Sequence, residues 1–243
     1  MTDIEMDSGK FWAMATWYND TVSISPFMTT ILTPADNNVN SYQSALLNTQ
    51  DYYLTTISRL HNFDGSMTEP SLVYYIEYAS PEITPYSLPV MTNAIQVNAT
   101  MAQQMVEEFN LNAEYGYHAA ALSPSIIAPI DTVPALRHYR LVHESSTNVF
   151  GPGAGNDVKY VKTFEYVKGA HIKGEGIIEV PVVTNTGRNF TYRQQSIDGE
   201  FIVPYSTSGN PYDVKTTGQY QIVGTLRTFD VPEDAVMQGL TVE

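Results

Sequence analysis

Cysteine is absent from the 243 residues of this chain. The absence excludes disulfide scaffolds, thiolate zinc sites and cysteine nucleophiles together, because each of them needs a thiol or thiolate sulfur. Basic residues are scarce as well, since 12 Lys and Arg stand against 26 Asp and Glu and give a formal net charge of −14. A field of that sign repels phosphate backbones, so nucleic acid is not an expected partner. The same acidity also suits solubility in a salty environment, and charge alone does not choose a function.

Long apolar runs are lacking too. No stretch reaches the roughly 18 uninterrupted apolar residues that a membrane-spanning helix needs. The most apolar region, around 119–135, is broken by Pro124, Pro129 and Pro134. The chain is therefore predicted to be soluble as it stands. Its first seven residues, MTDIEMD, have no basic start and no apolar core, so a signal peptide is not expected there.

The first part of the chain mixes helical and strand patterns. Apolar residues recur at helical spacing in 7–18, in 41–61 and in 100–109, and the serine at the start of the second of these can serve as its N-cap. The Asp-Gly turn at 64–65 is predicted to end that second helix. Two runs, 72–78 and 138–143, are rich in β-branched and aromatic residues or alternate in polarity, which predicts strands.

Composition changes at the glycine-rich stretch 150–157, which is the best candidate for a domain boundary or a long loop. Beyond it, short strand-like runs are separated by turn residues, as at 160–167, 176–183, 199–203 and 218–223. The whole pattern predicts an α+β fold in which a mixed helical and strand domain, 1–149, precedes a small antiparallel β-sandwich or barrel with a peripheral tail, 150–243.

The segment 7–14, DSGKFWAM, fits the pattern D-x-x-K-x-x-x-M. On a helix, positions three and four apart are neighbours, so Asp7, Lys10 and Met14 lie on one stripe. An acid, a base and a thioether could therefore face the same pocket. The plainer interpretation is an ion pair three residues apart beside a buried methionine.

This pattern resembles one found in the C-terminal globular domain of archaeal and eukaryotic oligosaccharyltransferase catalytic subunits. Further segments resemble AglB-type archaeal enzymes in the same order: ATWY at 15–18, SRLHNFDG at 58–65 and YRLVHES at 139–145. The run VKYVKTFEYV at 158–167 resembles the start of a β-rich appendix in methanogen members. Because several segments agree in order, the chain is identified as resembling the soluble C-terminal part of such a subunit.

The resemblance implies a function. These enzymes transfer a lipid-linked oligosaccharide to the asparagine of Asn-x-Ser/Thr sequons in acceptor polypeptides, at the extracytoplasmic face of the cell membrane. By this resemblance, Met14 would contact the Thr side chain of the acceptor, and Lys10 with Asp7 would shape the polar wall of the same pocket. The bulk of the acceptor grip would come from the family's WWDYG motif, which this sequence lacks.

The resemblance also implies what the chain would need from elsewhere. A divalent metal, Mn or Mg, would be held by carboxylates outside this chain, as would the groove for the lipid carrier. The chemistry needs that metal to offset phosphate charge on the leaving group. The chain alone is therefore not expected to catalyse transfer, and no catalytic residue is assigned to it.

Other chemistry has weaker support. The three N-x-T sequons, at Asn19, Asn98 and Asn189, fit an extracytoplasmic surface, yet a chain rich in Asn and Thr carries such triplets by chance. The histidines lack the spacing of a helical metal site. Two carboxylate pairs, Glu77 with Asp64 and Glu165 with Glu175, could in principle serve a glycosidase, but nothing in the sequence brings either pair together. The competing function is a secreted, non-catalytic cell-envelope or carbohydrate-binding module.

Overall fold

The structure, a computed structural model, describes residues 27–35, 38–70 and 72–243. Contacts divide the chain into two compact units, one made of Met1–Thr55 and Glu69–Thr132, the other of Thr56–Thr68 and Val133–Glu243. The domain division at 149/150 stays a prediction, and the glycine-rich stretch lies inside the second unit. The helix predicted at 7–18 lies outside the described residues.

The helices of the described part of the chain are short except for one. In chain order they are α1 (Gln50–Leu54), α2 (Thr56–His61), α3 (Ala99–Asn112) and α4 (Glu233–Gln238). The helix predicted at 100–109 is confirmed by α3, which begins after Asn98. The Asn98 side chain accepts a hydrogen bond of 2.8 Å from the backbone N–H of Met101, so it caps the first turn.

The first unit is built on a five-stranded sheet in the order β2-β1-β4-β3-β5. Its strands are β1 (Met28–Ala35), β2 (Asn38–Asn48), β3 (Leu72–Ala79), β4 (Val90–Asn98) and β5 (Tyr117–Leu122). All neighbours are antiparallel except β1 and β4. One face carries a small core made of Ile31, Leu47, Ile76 and Leu122. The strand predicted at 72–78 is confirmed by β3.

The helix predicted over 41–61 is wrong in its first part. Residues 41–48 belong to β2, which pairs with β1 in a register that sets Ile31 opposite Ala45. Ser41 therefore lies within a strand and caps no helix. The remainder is helical but is interrupted at Thr55, whose ψ of 145° is extended. Pairing with the preceding strand has overridden the local apolar spacing, as is common where strand pairing buries side chains.

The second unit is rich in short strands. In chain order they are β6 (Tyr139–Glu144), β7 (Lys162–Tyr166), β8 (Ala170–Lys173), β9 (Ile177–Val183), β10 (Asn189–Gln195), β11 (Glu200–Val203), β12 (Lys215–Thr216), β13 (Tyr220–Ile222), β14 (Thr228–Phe229) and β15 (Thr241–Val242). They form the sheets β10-β9-β13-β14 with β12 beside β9, β11-β8-β15, and β6-β7. These are open strand orders within the described residues, and the predicted α+β class is confirmed.

The second unit has a large aromatic core. The side chains of Tyr192, Phe201, Tyr205 and Tyr220 are at most 1% exposed and pack with many buried aliphatic side chains. The phenol groups have hydrogen-bond partners within this core. The Leu141 N–H donates to the Tyr205 hydroxyl oxygen at 2.8 Å, and the Tyr205 N–H donates to the Tyr220 hydroxyl oxygen at 3.1 Å. This core forms the base for the ion clusters described next.

Candidate functional site

The acceptor-reading stripe predicted from the sequence, Asp7, Lys10 and Met14, lies outside the described residues. Its geometry therefore stays a prediction. Three of the other segments that carry the family resemblance, 58–65, 139–145 and 158–167, are described. The structure places all three in the second unit, where they contribute to ion clusters.

The segment 58–65 ends in a buried group of four charged side chains, here called the Asp64 cluster: Asp64, Glu144, Lys162 and Arg188. Lys162 donates to Asp64 Oδ1 at 2.7 Å, and Arg188 donates to both Asp64 oxygens at 2.8 and 2.9 Å. Arg188 also reaches Glu144 Oε2 at 2.6 Å. The Asp64 and Glu144 side chains are only 7% and 0% exposed. Two anions thus balance two cations away from water.

A tight turn places Asp64 in this cluster. Asp64 and Gly65 both have left-handed backbone angles, with φ of 56° and 74°, and the Gly65 N–H donates to the Arg59 carbonyl at 2.8 Å. Aspartate is one of the few side chains that tolerates this conformation, and glycine accepts it without steric cost. The Asp-Gly turn predicted to end the second helix is therefore confirmed, and it also orients a carboxylate.

The remaining members come from strand ends. Glu144 ends β6, Lys162 begins β7, and Arg188 lies in the hairpin between β9 and β10. Thr184 and Thr186 of that hairpin each donate a hydroxyl to Glu144 Oε1 at 2.6 Å. These bonds occupy the lone pairs that burial would otherwise leave without partners.

Electrostatics in the cluster favours the charged forms of both acids. Burial alone would raise the pKa of Asp64, but the nearby Lys162 ammonium and the Arg188 guanidinium outweigh burial and lower that pKa below its usual value. For Glu144, burial is likewise outweighed by hydrogen bonds from Arg188, Thr184 and Thr186, so its pKa is lowered. Each acid is therefore ionised and fully bonded. The arrangement suits a structural role and leaves no poised general acid or base.

A second group, here called the Arg140 cluster, comprises Arg140, Glu165, Ser206 and Glu233. Arg140 is 1% exposed; it donates to Glu165 at 2.8 Å and to both Glu233 oxygens at 2.8 and 2.6 Å. Ser206 donates to Glu233 Oε2 at 2.6 Å. Burial would raise the pKa of Glu233, yet the bonds from Arg140 and Ser206 lower it. The cluster joins β6, β7 and the first turn of α4.

We expect the second unit to lose stability in acid. Asp64, Glu144 and Glu233 have lowered pKa values when folded, so their contribution is fully present above unfolded values of about 4 and is lost as pH falls through the folded values. The midpoint of urea unfolding, followed by circular dichroism, should fall as pH drops below about 4.5. Asp64→Asn should flatten that dependence, because it removes one titrating group. A midpoint that stays constant from about pH 5 to about pH 3 would contradict the assignment.

These clusters are not among the features predicted from the sequence. Asp64 and Glu165 each belong to a different candidate glycosidase pair, and the structure instead shows each bound by basic side chains. Among the described residues, no three His, Asp or Glu side chains lie together in a way that could hold a metal ion. No described helix is both long and apolar enough to cross a membrane.

Comparison with known proteins finds a family model and relatives that are similar to this chain. Residues 165–242 match the family model described as the archaeal glycosylation protein B long peripheral domain. The chain is 28% identical over 302 residues to the dolichyl-monophosphooligosaccharide–protein glycotransferase AglB of Haloferax volcanii, covering 99% of this chain and 28% of that protein. The predicted resemblance to AglB-type oligosaccharyltransferases is confirmed. Residues 165–242 are thus similar to an AglB long peripheral domain, and the chain as a whole is similar to part of an AglB-type enzyme.

Further relatives agree. The dolichyl-phosphooligosaccharide–protein glycotransferase 3 of Archaeoglobus fulgidus is 27% identical over 277 residues, covering 100% of this chain and 30% of that protein. The crystal structure of the Archaeoglobus fulgidus oligosaccharyltransferase with Zn and sulfate shares the fold at a TM-score of 0.50 and 18% identity, covering 98% of this chain and 32% of that one. The structure of that enzyme tethered to an acceptor peptide with the NVT sequon shares the fold at a TM-score of 0.50 and 20% identity. The match covers 98% of this chain and 30% of that one. The chain spans less than a third of the length of these AglB-type relatives.

Proposed function

We propose that this chain is the soluble, extracytoplasmic part of a dolichyl-(di)phosphooligosaccharide–protein glycosyltransferase that N-glycosylates Asn-x-Ser/Thr sequons. The observation that carries the proposal is the alignment of 99% and 100% of the chain with two archaeal glycotransferases. Such full-length agreement is not what a secreted binding module would give. In this proposal the partners are an acceptor polypeptide and a lipid-linked oligosaccharide, and the location is the outer face of the cell membrane.

We infer that the contribution of the chain is to read the acceptor. Asp7, Lys10 and Met14 fit the pattern D-x-x-K-x-x-x-M and share one helical stripe if 7–18 is helical. In that arrangement the Met14 thioether packs against the methyl group of the acceptor Thr, while Lys10 and Asp7 form the polar wall beside it. A threonine methyl that is buried in this way favours Thr over Ser by about 0.8 kcal/mol.

The proposal includes a divalent metal ion in the full-length enzyme, but not in this chain. One relative was crystallised with Zn and sulfate. In the full-length enzyme we infer a divalent ion, Mn or Mg, whose ligands lie outside this chain, and which would offset phosphate charge on the leaving group. The described residues do not assemble a ligand set of three or more. No step of the reaction is therefore assigned to them, and their part is to support the acceptor-binding segment.

The test joins this chain to the membrane part of its parent enzyme and measures glycosylation of Asn-x-Thr and Asn-x-Ser peptides. Met14→Ala is expected to lower kcat/KM for the Thr peptide about fourfold, and to narrow the preference for Thr over Ser, because the methyl contact is lost. Lys10→Ala should lower kcat/KM for both peptides by about the same factor. Met101→Ala, at an exposed position of α3, is the matched control.

The same variant distinguishes an acceptor-binding Met14 from a methionine that is only part of the core. If Met14 is only a buried core residue, Met14→Ala will lower the unfolding midpoint and leave the ratio of Thr to Ser turnover unchanged. That result, or unchanged turnover and peptide affinity in both variants, would remove the site assignment.

A further inference from the structure

Charge is divided unequally between the two compact units. The first, Met1–Thr55 with Glu69–Thr132, contains thirteen Asp and Glu against the single base Lys10, whereas the second contains thirteen against eleven. The described residues of the first unit include no Lys or Arg. Nearly all of the net negative charge of the chain therefore lies in one unit, whose field attracts cations.

A groove lies within this acidic unit, beside the C-terminal half of α3. Its volume is about 540 Å³, which is in the usual range for sites that hold a ligand or a few side chains. Its walls are largely apolar, and two carboxylates lie among them: Tyr75, Met105, Phe109, Tyr117, Glu108 and Glu114. Within the first unit as described, neither carboxylate has a Lys or Arg available to pair with.

The strands fix the aromatic walls of the groove. Tyr75 lies in β3 and is 2% exposed, and its hydroxyl donates to Glu77 Oε1 at 2.9 Å. Tyr117 begins β5, which pairs with β3, and its ring is 38% exposed. One ring is thus held rigidly and another is open to an incoming group. Aromatic faces carry negative charge density, so they attract cations placed against them.

The end of α3 adds negative charge of its own. Asn112 is the last residue of the helix, and Asn112 and Ala113 line the groove. The last turn contains no basic side chain. The partial negative charge of a helix C-terminus therefore adds to that of the carboxylates, and no basic side chain of the last turn offsets it.

The titration of Tyr75 reflects this field. Burial is the largest cause that raises the pKa of Tyr75 to about 12, followed by its bond to Glu77 and by the charges of Glu77 and Glu108. The Glu108 carboxylate is thus close enough to act on the hydroxyl in the wall of the groove. Glu107, the preceding residue of α3, does not line the groove.

We propose that this groove binds an arginine-bearing segment of a partner polypeptide, with the guanidinium against the exposed ring of Tyr117 and the carboxylates of Glu108 and Glu114 as its counter-charges. Arginine fits because its planar group stacks on rings and bonds to carboxylates, while its aliphatic stem covers apolar wall. A polypeptide fits better than a free amine because the apolar walls bury more than a charged head group. The proposal uses no residue of the acceptor-reading stripe and does not depend on it.

The test uses the full chain and two fluorescein-labelled Gly-Ser peptides, one with two arginines and one with citrulline at the same positions. Fluorescence anisotropy should show binding of the arginine peptide that weakens as salt is raised from about 0.02 M to about 0.5 M. Glu108→Gln and Glu114→Gln should each weaken it about fivefold, and the double variant more. Glu107→Gln, which removes the same charge from the same helix, should change it less than about twofold.

A second measurement locates the peptide. With ¹³C-methyl methionine, the Met105 signal should shift on titration with the arginine peptide, whereas the Met67 signal, from the buried core of the second unit, should not. Equal binding of the citrulline peptide, an equal loss in Glu107→Gln, or a Met105 signal that does not move would overturn the proposal. Binding of putrescine as tight as that of the arginine peptide would also overturn it, because the site would then recognise the amine charge alone.

Discussion

Asp64→Asn is expected to lower the free energy of unfolding of the second unit by about 3–5 kcal/mol. The substitution keeps the shape of the side chain and tolerates the left-handed backbone at this position, where φ is 56°. It removes the anion between Lys162 and Arg188. Lys162 is 2% exposed and would be left with neutral acceptors, the new amide oxygen and the His61 carbonyl 2.7 Å from its Nζ. Two buried cations would then share one anion, Glu144, which is already bonded to Arg188, and this is the costly product.

The measurement is urea unfolding followed by circular dichroism at neutral pH. Asp213→Asn is the matched control, because it makes the same chemical change at an exposed position of the same unit, and it should cost less than about 0.5 kcal/mol. Adding Lys162→Met to Asp64→Asn should recover part of the loss, since the unpaired cation is removed too. A loss below about 1 kcal/mol in Asp64→Asn would mean that the cluster does not hold the fold.

Arg140→Met is expected to lower the free energy of unfolding of the second unit by a similar amount, about 3–5 kcal/mol. Met fills much of the same volume but leaves Glu165 and Glu233 facing each other without the guanidinium that binds both. Arg140→Lys keeps the charge and loses the two-pronged bond to Glu233, so it should cost less, about 1–3 kcal/mol. The same unfolding experiment measures both variants.

Arg227→Met supplies the control for Arg140. Arg227 is exposed and lies over the Phe229 ring with 5.3 Å between its Cζ and the ring centroid, so its loss should cost less than about 1 kcal/mol. If Arg140→Met is no more harmful than Arg227→Met, the buried pairs contribute nothing net, and desolvation offsets their attraction.

Local pattern predicted the elements whose own residues decide their structure. The β-branched and aromatic run of β3 and the apolar spacing of α3 are such cases, and both are confirmed. In contrast, 41–48 has apolar residues at helical spacing and forms β2 because β1 pairs with it. β1 is missing from the predicted elements for the same reason: its partner was assigned to a helix.

The ion clusters could not be predicted from spacing. Asp64 and Arg188 are 124 positions apart, and Arg140 and Glu233 are 93 apart, so no local pattern joins them. The Asp-Gly pair predicted only a turn, which is confirmed; the direction of its carboxylate depends on where β6, β7 and the β9–β10 hairpin meet. The acceptor-reading stripe, in contrast, was predicted from a short local motif that resembles a family pattern, and it stays a prediction.

The assignment of Thr56–Thr68 to the second unit has a practical consequence for dissecting this protein. That segment lies between two stretches of the first unit, so no single truncation point yields both units intact. An expression fragment limited to 165–242, the extent of the family match, would contain Arg188 but neither Asp64 nor Glu144. Such a fragment would bury the Arg188 guanidinium without the two carboxylates that pair with it. Biophysical work on the isolated region should therefore include the 56–68 peptide or supply it in trans.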